Sequence, residues 1–201
     1  MNGLALKRWL LAPMSSTPGL QRAAAEVETT LRAIDVWINN AMTTVLAPFR
    51  QMSEEFRRVT EVTYLGYVNG TRAALEVAIP GIGGDYSGRL GAGGVQSHCS
   101  RLTAGKAAIR GFTDAVRTEL MHEKSHIQLT MVQLPGMNTA QFGWARNNGS
   151  GHAAGAPVYQ PEVAAEAIYS VIQRPVNELW VGKSTIQSIL GGSSSLVCSI
   201  G

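Results

Sequence analysis

The stretch that most constrains the fold of this chain is residues 34–42, Ile-Asp-Val-Trp-Ile-Asn-Asn-Ala-Met. It is a short, mainly apolar run that ends in two asparagines and a small residue. Such a run is typical of a buried parallel strand that delivers polar groups to its carboxyl end. Ligands of open α/β sheets bind at that edge. The stretch therefore predicts both a parallel sheet and the position of a ligand site.

Length and composition fit one folded domain spanning residues 1–201. Of the 201 residues, 45% are hydrophobic and 15% are charged, which is enough apolar material for one core. The net charge of +3 is small, and the basic residues are scattered, so nucleic-acid binding has little support. The two cysteines form neither a metal-binding nor a disulfide pattern, and we therefore expect no metal site.

Membrane association is not expected either. No apolar stretch approaches the ~20 residues of a membrane span. Lys7 and Arg8 interrupt the apolar start of the chain, which breaks the order of a signal peptide. We therefore expect a cytoplasmic protein.

Helical and strand patterns alternate along the chain, which predicts an α/β fold with a doubly wound sheet. Helices are predicted at 20–34, at 54–75, at 102–123 and from Pro161 onward. Strands are predicted at 34–38, 127–134 and 178–181. We expect residues 80–97 to form a loop, because their glycines make them too flexible for a helix or a central strand. Residues 136–158 predict a second long loop, and residues 191–201 predict a flexible tail.

Three motifs resemble the short-chain dehydrogenase/reductase family over roughly residues 20–185. Asn39–Met42 is similar to the Asn-Asn-Ala-Gly motif after the family's fourth strand, with Met42 in place of glycine. Lys106 opens a helix similar to the one that carries the lysine of the family's Tyr-x-x-x-Lys motif. Pro135–Thr139 resembles the Pro-Gly-x-x-x-Thr segment after the sixth strand. Taken alone, each motif also has an ordinary structural explanation. The asparagine pair fits a strand end, Lys106 fits a solvated helix residue, and Pro135–Thr139 fits a strand-ending turn.

The resemblance implies an incomplete Rossmann-like three-layer fold and NAD- or NADP-dependent chemistry on a small-molecule carbonyl or alcohol. It implies that Asn40 and Ala41 lie along the adenosine part of the cofactor. It further implies that Lys106 binds the nicotinamide ribose and lowers the pKa of a catalytic tyrosine. The segment implied to hold the nicotinamide carboxamide consists of Pro135, Gly136 and Thr139.

Other parts of the family pattern are missing from the sequence. The glycine fingerprint that cradles the pyrophosphate should precede residue 20, yet residues 1–19 contain only Gly3 and Gly19. Leu102 stands four residues before Lys106, where the family has its catalytic tyrosine. Hydride transfer would then lack its proton partner, a contribution of about 10²–10⁴-fold.

Two further catalytic positions and one strand also depart from the pattern. The family's catalytic asparagine falls at Thr63. Ser87 is the candidate for the serine that polarises the carbonyl, if residues 81–100 are a rearranged version of that region. The fifth strand is reduced to residues 75–79, which predicts a gap in the centre of the sheet.

Three hypotheses for function follow from these observations. The first is an oxidoreductase of this family whose activity is impaired or lost. The second is a non-catalytic remnant or interaction module that forms a homo-oligomer, or pairs with a related chain, through helices 54–75 and 102–123. The third gives residues 81–94 the role of a substitute phosphate loop, although they lack a clean glycine fingerprint and no helix follows directly.

Overall fold

The computed structural model describes residues 17–31, 33–43, 45–46, 54–78, 89–95, 103–140, 146–147 and 157–186. Ser87, Leu102 and the predicted tail at 191–201 lie outside these residues. In chain order the elements are helix α1 (Thr17–Thr30), strands β1 (Val36–Asn39) and β2 (Val45–Leu46), helix α2 (Glu54–Val59), the π-helical turn Thr60–Leu65, helix α3 (Gly66–Ala78), strand β3 (Arg89–Val95), helix α4 (Thr103–His122), strands β4 (Gln128–Leu134) and β5 (Arg146–Asn147), helix α5 (Pro161–Gln173) and strand β6 (Glu178–Trp180).

The helices form where apolar residues recur with the helical period and where their ends suit the helix dipole. Helix α2 has Glu54 and Glu55 in its first turn and Arg57 and Arg58 in its last, an arrangement that complements the partial charges of a helix. Helix α5 begins with a proline at its first turn, where no backbone donor is needed. The predicted helices at 54–75 and 102–123 are confirmed.

The four longer strands form one parallel sheet in the order β1-β3-β4-β6. Asn39 at the end of β1 pairs with Ala92 of β3, and Ala92 pairs with Met131 of β4. A second, small parallel sheet joins β2 to β5. Because the strands of the larger sheet are parallel, their carboxyl ends lie at one edge. The predicted α/β class and doubly wound parallel sheet are confirmed.

The prediction for residues 80–97 was wrong over the part that the structure describes. Arg89–Val95 forms strand β3, which pairs with β1 on one side and with β4 on the other. Residues 75–78, expected to hold the remnant of a strand, lie in helix α3. The centre of the sheet is therefore filled, and β3 rather than residues 75–79 fills it.

Strand β4 carries the core on both of its faces. On one face, Ile127 and Leu129 pack with residues of α3 and α4. On the other face, Val132 and Leu134 pack with α5, including Val171. Fully burying one such side chain contributes about 1.5–3 kcal/mol. The helices thus cover both faces of the sheet and give three layers. Among the described helices, none is both long and apolar enough to cross a membrane.

Helix α4 is also tied to the sheet by Arg117. Its Nε–H donates to the carbonyl oxygen of Leu129 over 2.9 Å, and its Nη2 donates to the carbonyl oxygen of Asn177. Nη1 binds the carboxylate of Asp114 one turn back at 2.8 Å. These contacts fix α4 against the start of β4 and the turn before β6. The register of α4 matters because Lys106 lies in its first turns.

Candidate functional site

Two of the predicted site segments lie at the carboxyl edge of the sheet. Asn40 and Ala41 follow β1 directly and are exposed. Pro135–Thr139 follows β4; its first residue is buried, and Thr139 at its end is exposed. The structure therefore places both segments on the side of the sheet where ligands of doubly wound folds bind. Their assigned contacts to a cofactor remain predictions.

The end of β1 is held by the Asn39 side chain. Its Oδ1 accepts a hydrogen bond from Trp37 Nε1 at 2.8 Å, and its Nδ2 donates to Thr71 Oγ1 at 3.1 Å. The carboxamide lies directly against the backbone of α3 at Gly70, where a Cβ would come within 2.2 Å of Asn39 Oδ1. The sequence can fold this way because residue 70 has no side chain. As a result, the backbone position at which Asn40 leaves the end of β1 is fixed.

Thr63 ties the segment after Ala41 to the π-helical turn. Its Oγ1 donates to the carbonyl oxygen of Thr43 at 3.1 Å and accepts from the backbone N–H of Thr43 at 3.2 Å. Thr63 is buried and lies where the family pattern expects a catalytic asparagine. Its hydroxyl proton is already donated to the Thr43 carbonyl oxygen and is therefore not available to a ligand. π-Helical turns are rare and are frequent at functional sites, and the two hydrogen bonds to Thr43 place this turn beside the segment that follows the asparagine pair.

The segment after β4 is held by the backbone of Tyr159. Asn138 N–H donates to the carbonyl oxygen of Tyr159 at 2.7 Å, and Tyr159 N–H donates to the carbonyl oxygen of Gly136 at 2.8 Å. Within the segment, Thr139 N–H donates to the carbonyl oxygen of Met137 at 2.8 Å. These bonds leave little freedom to the backbone that presents Thr139.

The ring of Tyr159 is itself fixed against Gly182. Gly182 has a φ of +80°, and a Cβ there would lie 2.9 Å from Tyr159 Cζ. Only glycine tolerates both that backbone conformation and the close ring. This contact joins the turn after β6 to the segment after β4. Sequence reasoning missed it, because the two residues belong to different parts of the chain.

Lys106 is half-buried near the start of α4. Its place at the start of a helix that packs on the sheet agrees with the predicted position, and its role towards a cofactor remains a prediction. Ser87, the predicted carbonyl-polarising residue, lies outside the described residues. Within the part of the chain that the structure describes, no three His, Cys, Asp or Glu side chains come together as a metal site.

A buried polar group between α3 and α4 was also missed by sequence reasoning. Tyr67 Oη lies 2.9 Å from Thr113 Oγ1. Burial raises the pKa of the Tyr67 phenol above its usual value, while hydrogen bonds to Thr113 and Thr71 and the charge of Arg117 oppose that rise. The phenol is therefore neutral near pH 7. A tyrosine and a threonine four residues apart on one helix, Tyr67 and Thr71, were the available signal.

Comparison with known proteins identifies the family. Residues 11–148 match the model of the short chain dehydrogenase family, which is more than half of the chain. The chain is 25% identical over 181 residues to the protein named "Uncharacterized oxidoreductase YxnA" of Bacillus subtilis (strain 168), and the match covers 87% of this chain and 51% of that protein. The chain thus spans about half the length of this curated relative.

Solved structures show the same fold. A short chain dehydrogenase from Burkholderia cenocepacia J2315 in complex with NADP is 20% identical, with a TM-score of 0.67 over 91% of this chain and 72% of that one. A short-chain dehydrogenase from Streptomyces avermitilis is 18% identical, with a TM-score of 0.68 over 94% of this chain and 76% of that one. Together with the match over residues 11–148, these likenesses establish that the chain belongs to the short-chain dehydrogenase family.

Proposed function

We propose that this chain is an oxidoreductase that binds NAD or NADP at the carboxyl edge of its sheet and acts on a small carbonyl or alcohol, with its proton-transfer step impaired. The observation that carries this proposal is the rigid support of two segments at one sheet edge. Asn39 is fixed by α3, and Pro135–Thr139 is fixed by Tyr159. Preorganised groups of this kind bind a ligand without losing much conformational freedom.

The residues present fit the two ends of such a cofactor, the nicotinamide end and the adenosine end. Thr139 is exposed at the edge, as are Asn40 and Ala41, and Lys106 offers a cation from the start of α4. Bound there, the cofactor would supply the hydride. In the proposal, Pro135, Gly136 and Thr139 orient the carboxamide and Lys106 holds the ribose. The adenosine part runs along Asn40 and Ala41.

The impairment follows from Leu102, which has no proton to transfer. General acid–base catalysis contributes about 10²–10⁴-fold in rate, so we expect turnover to be reduced by at least that factor. Ser87 is proposed to polarise the carbonyl. Ser97 is the competing candidate by chain order, because Ser87 precedes Arg89 at the amino end of β3, whereas Ser97 follows Val95 at the carboxyl end of that strand, the end at which the proposed site lies. Comparing S87A with S97A in the Leu102→Tyr background tells which serine has the role.

A thermal melt with excess NADPH and, separately, NADH tests the cofactor site. A ligand that binds only the native state at a hundred times its Kd adds about 2.7 kcal/mol, which raises Tm by about 5–10 °C for a chain of this size. We expect Thr139→Ala and Lys106→Ala to reduce the rise. Thr118→Ala, at an exposed position of α4, serves as the control and should not. A midpoint that moves with neither cofactor would contradict the proposal.

Substituting Leu102→Tyr tests the impairment. We expect reductase turnover to increase by about 10²-fold or more, because a phenol near Lys106 can donate and accept the proton. Leu102→Phe is the matched control, since it adds the ring without the hydroxyl. If Leu102→Tyr binds cofactor and gains no activity over Leu102→Phe, the missing phenol is not the cause of low turnover.

A second candidate function is pairing with a second copy or a related chain through α2–α3 and α4. The supporting observation is apolar exposure on these elements, where Phe56 is 40%, Leu65 is 44% and Met121 is 79% exposed. Light scattering after gel filtration should then give the mass of two chains, and Leu65→Glu should give one. Leu31→Glu, at an exposed site just beyond α1, is the control. A wild-type chain that stays monomeric at high concentration would overturn self-pairing.

A further inference from the structure

A run of hydrogen bonds, half-buried at β1 and fully buried between α3 and α4, connects the end of β1 to the middle of α4. It begins where Trp37 Nε1–H donates to Asn39 Oδ1 and Asn39 Nδ2 donates to Thr71 Oγ1. Thr71 follows Tyr67 by four residues on α3, which puts the two buried side chains on the same face of the helix, and a hydrogen bond from the Thr71 hydroxyl opposes the rise in the pKa of the Tyr67 phenol. Thr71 is 1% exposed and Tyr67 is 4% exposed. Water therefore does not compete for the hydroxyls of Thr71 and Tyr67, and their hydrogen bonds are needed to satisfy buried polar atoms.

The run continues from Tyr67 into α4. Tyr67 Oη lies 2.9 Å from Thr113 Oγ1, and Thr113 Oγ1 donates to the carbonyl oxygen of Ile109 at 2.7 Å. A hydroxyl has a single proton. Because Thr113 gives its proton to Ile109, Tyr67 must donate to Thr113, and Thr71 must donate to Tyr67.

The direction of every bond in the run is therefore fixed. An indole N–H can only donate, and a backbone carbonyl can only accept. If the Asn39 carboxamide were flipped, its NH₂ group would face the Trp37 N–H, so that two donors would meet. Its oxygen would face the Thr71 hydroxyl, whose proton is already donated to Tyr67. A proton relay is excluded by the same directionality, since the last carbonyl has no proton to pass on. The run fixes positions and does not transfer protons.

We infer that Tyr67 is a positioning residue of the cofactor site: its hydroxyl fixes the Asn39 carboxamide, and so the exit of Asn40 and Ala41 from β1, relative to the helix that carries Lys106. Ile109, where the run ends, is three residues after Lys106, about one helical turn. The two sides of the proposed site are thereby joined through α3. This inference rests on the proposed cofactor site.

Substituting Tyr67→Phe removes the hydroxyl and keeps the ring. The proton of Thr71 then loses its acceptor, and the Asn39 carboxamide loses its fixed orientation. Tyr64→Phe is the matched control. Its ring contacts the same Phe112 edge-on, with centroids 6.5 Å apart against 5.9 Å for Tyr67, and its hydroxyl is not part of the run.

Two measurements separate positioning from general stability. In ¹⁵N-labelled protein we expect Tyr67→Phe to shift the Trp37 indole N–H signal and the backbone amide signals of Asn40 and Ala41. We also expect it to weaken the Kd for NADPH about tenfold, the loss that follows from about one net hydrogen bond. Tyr64→Phe should leave the signals and the Kd unchanged.

Two substitutions of Thr71 test the same hydrogen bonds, one that removes the hydroxyl and one that keeps it. Thr71→Val removes the hydroxyl at equal size and should reproduce the effects of Tyr67→Phe, whereas Thr71→Ser keeps the hydroxyl and should resemble wild type. The double variant Tyr67→Phe with Thr71→Val should be no worse than Thr71→Val alone, because both act on one connected run.

The outcomes distinguish this inference from the proposed function. If wild type binds no NADPH, the proposed function fails, and the Trp37, Asn40 and Ala41 signals still decide whether Tyr67 fixes the end of β1. If Tyr67→Phe leaves those signals unchanged, the positioning role is overturned. It is also overturned if the signals move while a measurable Kd for NADPH stays the same.

Discussion

The close approach of Asn39 to Gly70 makes Gly70→Ala the most informative single substitution for stability. A Cβ at residue 70 would lie 2.2 Å from Asn39 Oδ1 and 3.2 Å from Asn39 Cγ. The carboxamide must move, although Trp37 and Thr71 hold it from two sides. We therefore expect Gly70→Ala to break both hydrogen bonds.

The magnitude follows from two opposing effects. Each broken hydrogen bond costs about 0.5–1.5 kcal/mol, and more where a buried partner is stranded. Alanine is better than glycine in a helix interior by about 0.8–1.0 kcal/mol. The two bonds together cost about 1–3 kcal/mol and the gain in propensity offsets about 1 kcal/mol of this, so we expect Gly70→Ala to lower the free energy of unfolding by about 0.5–2 kcal/mol.

Urea unfolding followed by far-ultraviolet circular dichroism measures this change, with the m-value as a check on the unfolded state. Gly111→Ala in α4 is the matched control, since a Cβ there meets nothing within 4 Å, and it should stabilise by about 0.8–1.0 kcal/mol. In an Asn39→Ala background, Gly70→Ala should become neutral or stabilising. A Gly70→Ala protein at least as stable as wild type would refute the reasoning.

Three further predictions concern Arg117, Gly182 and Tyr67, each of which makes contacts between elements that are distant in sequence. Arg117→Met should lower the free energy of unfolding by about 1.5–3 kcal/mol, as measured in urea, and a change as small as that of the exposed Arg57→Met would contradict it. Gly182→Ala should cost about 1–2 kcal/mol for the left-handed backbone alone and reduce the NADPH-induced rise in Tm; an unchanged rise would mean that the Tyr159 contact does not support the site. Because burial raises the pKa of Tyr67 above 10.0, the folded state holds that proton more tightly. The free energy of unfolding should then fall as pH rises above about 10, and a fall equally steep in Tyr67→Phe would count against this.

Local patterns predicted the elements whose periodicity is strong. The strand expected at 34–38 lies at Val36–Asn39, and the helix expected at 102–123 lies at Thr103–His122. Both carry apolar residues at the spacing that their own geometry requires. The edge segments after β1 and β4 could be placed for the same reason, since a residue that follows a parallel strand leaves from its carboxyl end.

Strand β3 could not be predicted in this way. Arg89–Val95 contains Gly91, Gly93 and Gly94, and glycine is depleted in strands. Its backbone is nevertheless paired along its length with β4 and in part with β1. These partners are remote in sequence, so the local pattern indicated a loop where tertiary pairing forms a central strand.

The contacts that support the candidate site were hidden for a similar reason. Tyr67 and Thr113 are 46 residues apart, and in the sequence Tyr67 only contributes to an apolar helix face. The hydrogen bond between them depends on how α3 and α4 pack against each other. Sequence motifs located the edge of the sheet, and only the packed structure shows which side chains fix it.

The order β1-β3-β4-β6 bears on how this chain folds. Each strand of that sheet reaches its neighbour only after an intervening helix has crossed over, so contact order is high and folding is slow for the size of the chain. Strand β3 pairs with β4 over seven residues but with β1 over four. We therefore expect the β3-α4-β4 unit to form the folding nucleus and β1 to dock later, which φ-values at β1 and α4 would test. On that basis, destabilising changes in α4 slow folding, whereas those in β1 mainly accelerate unfolding.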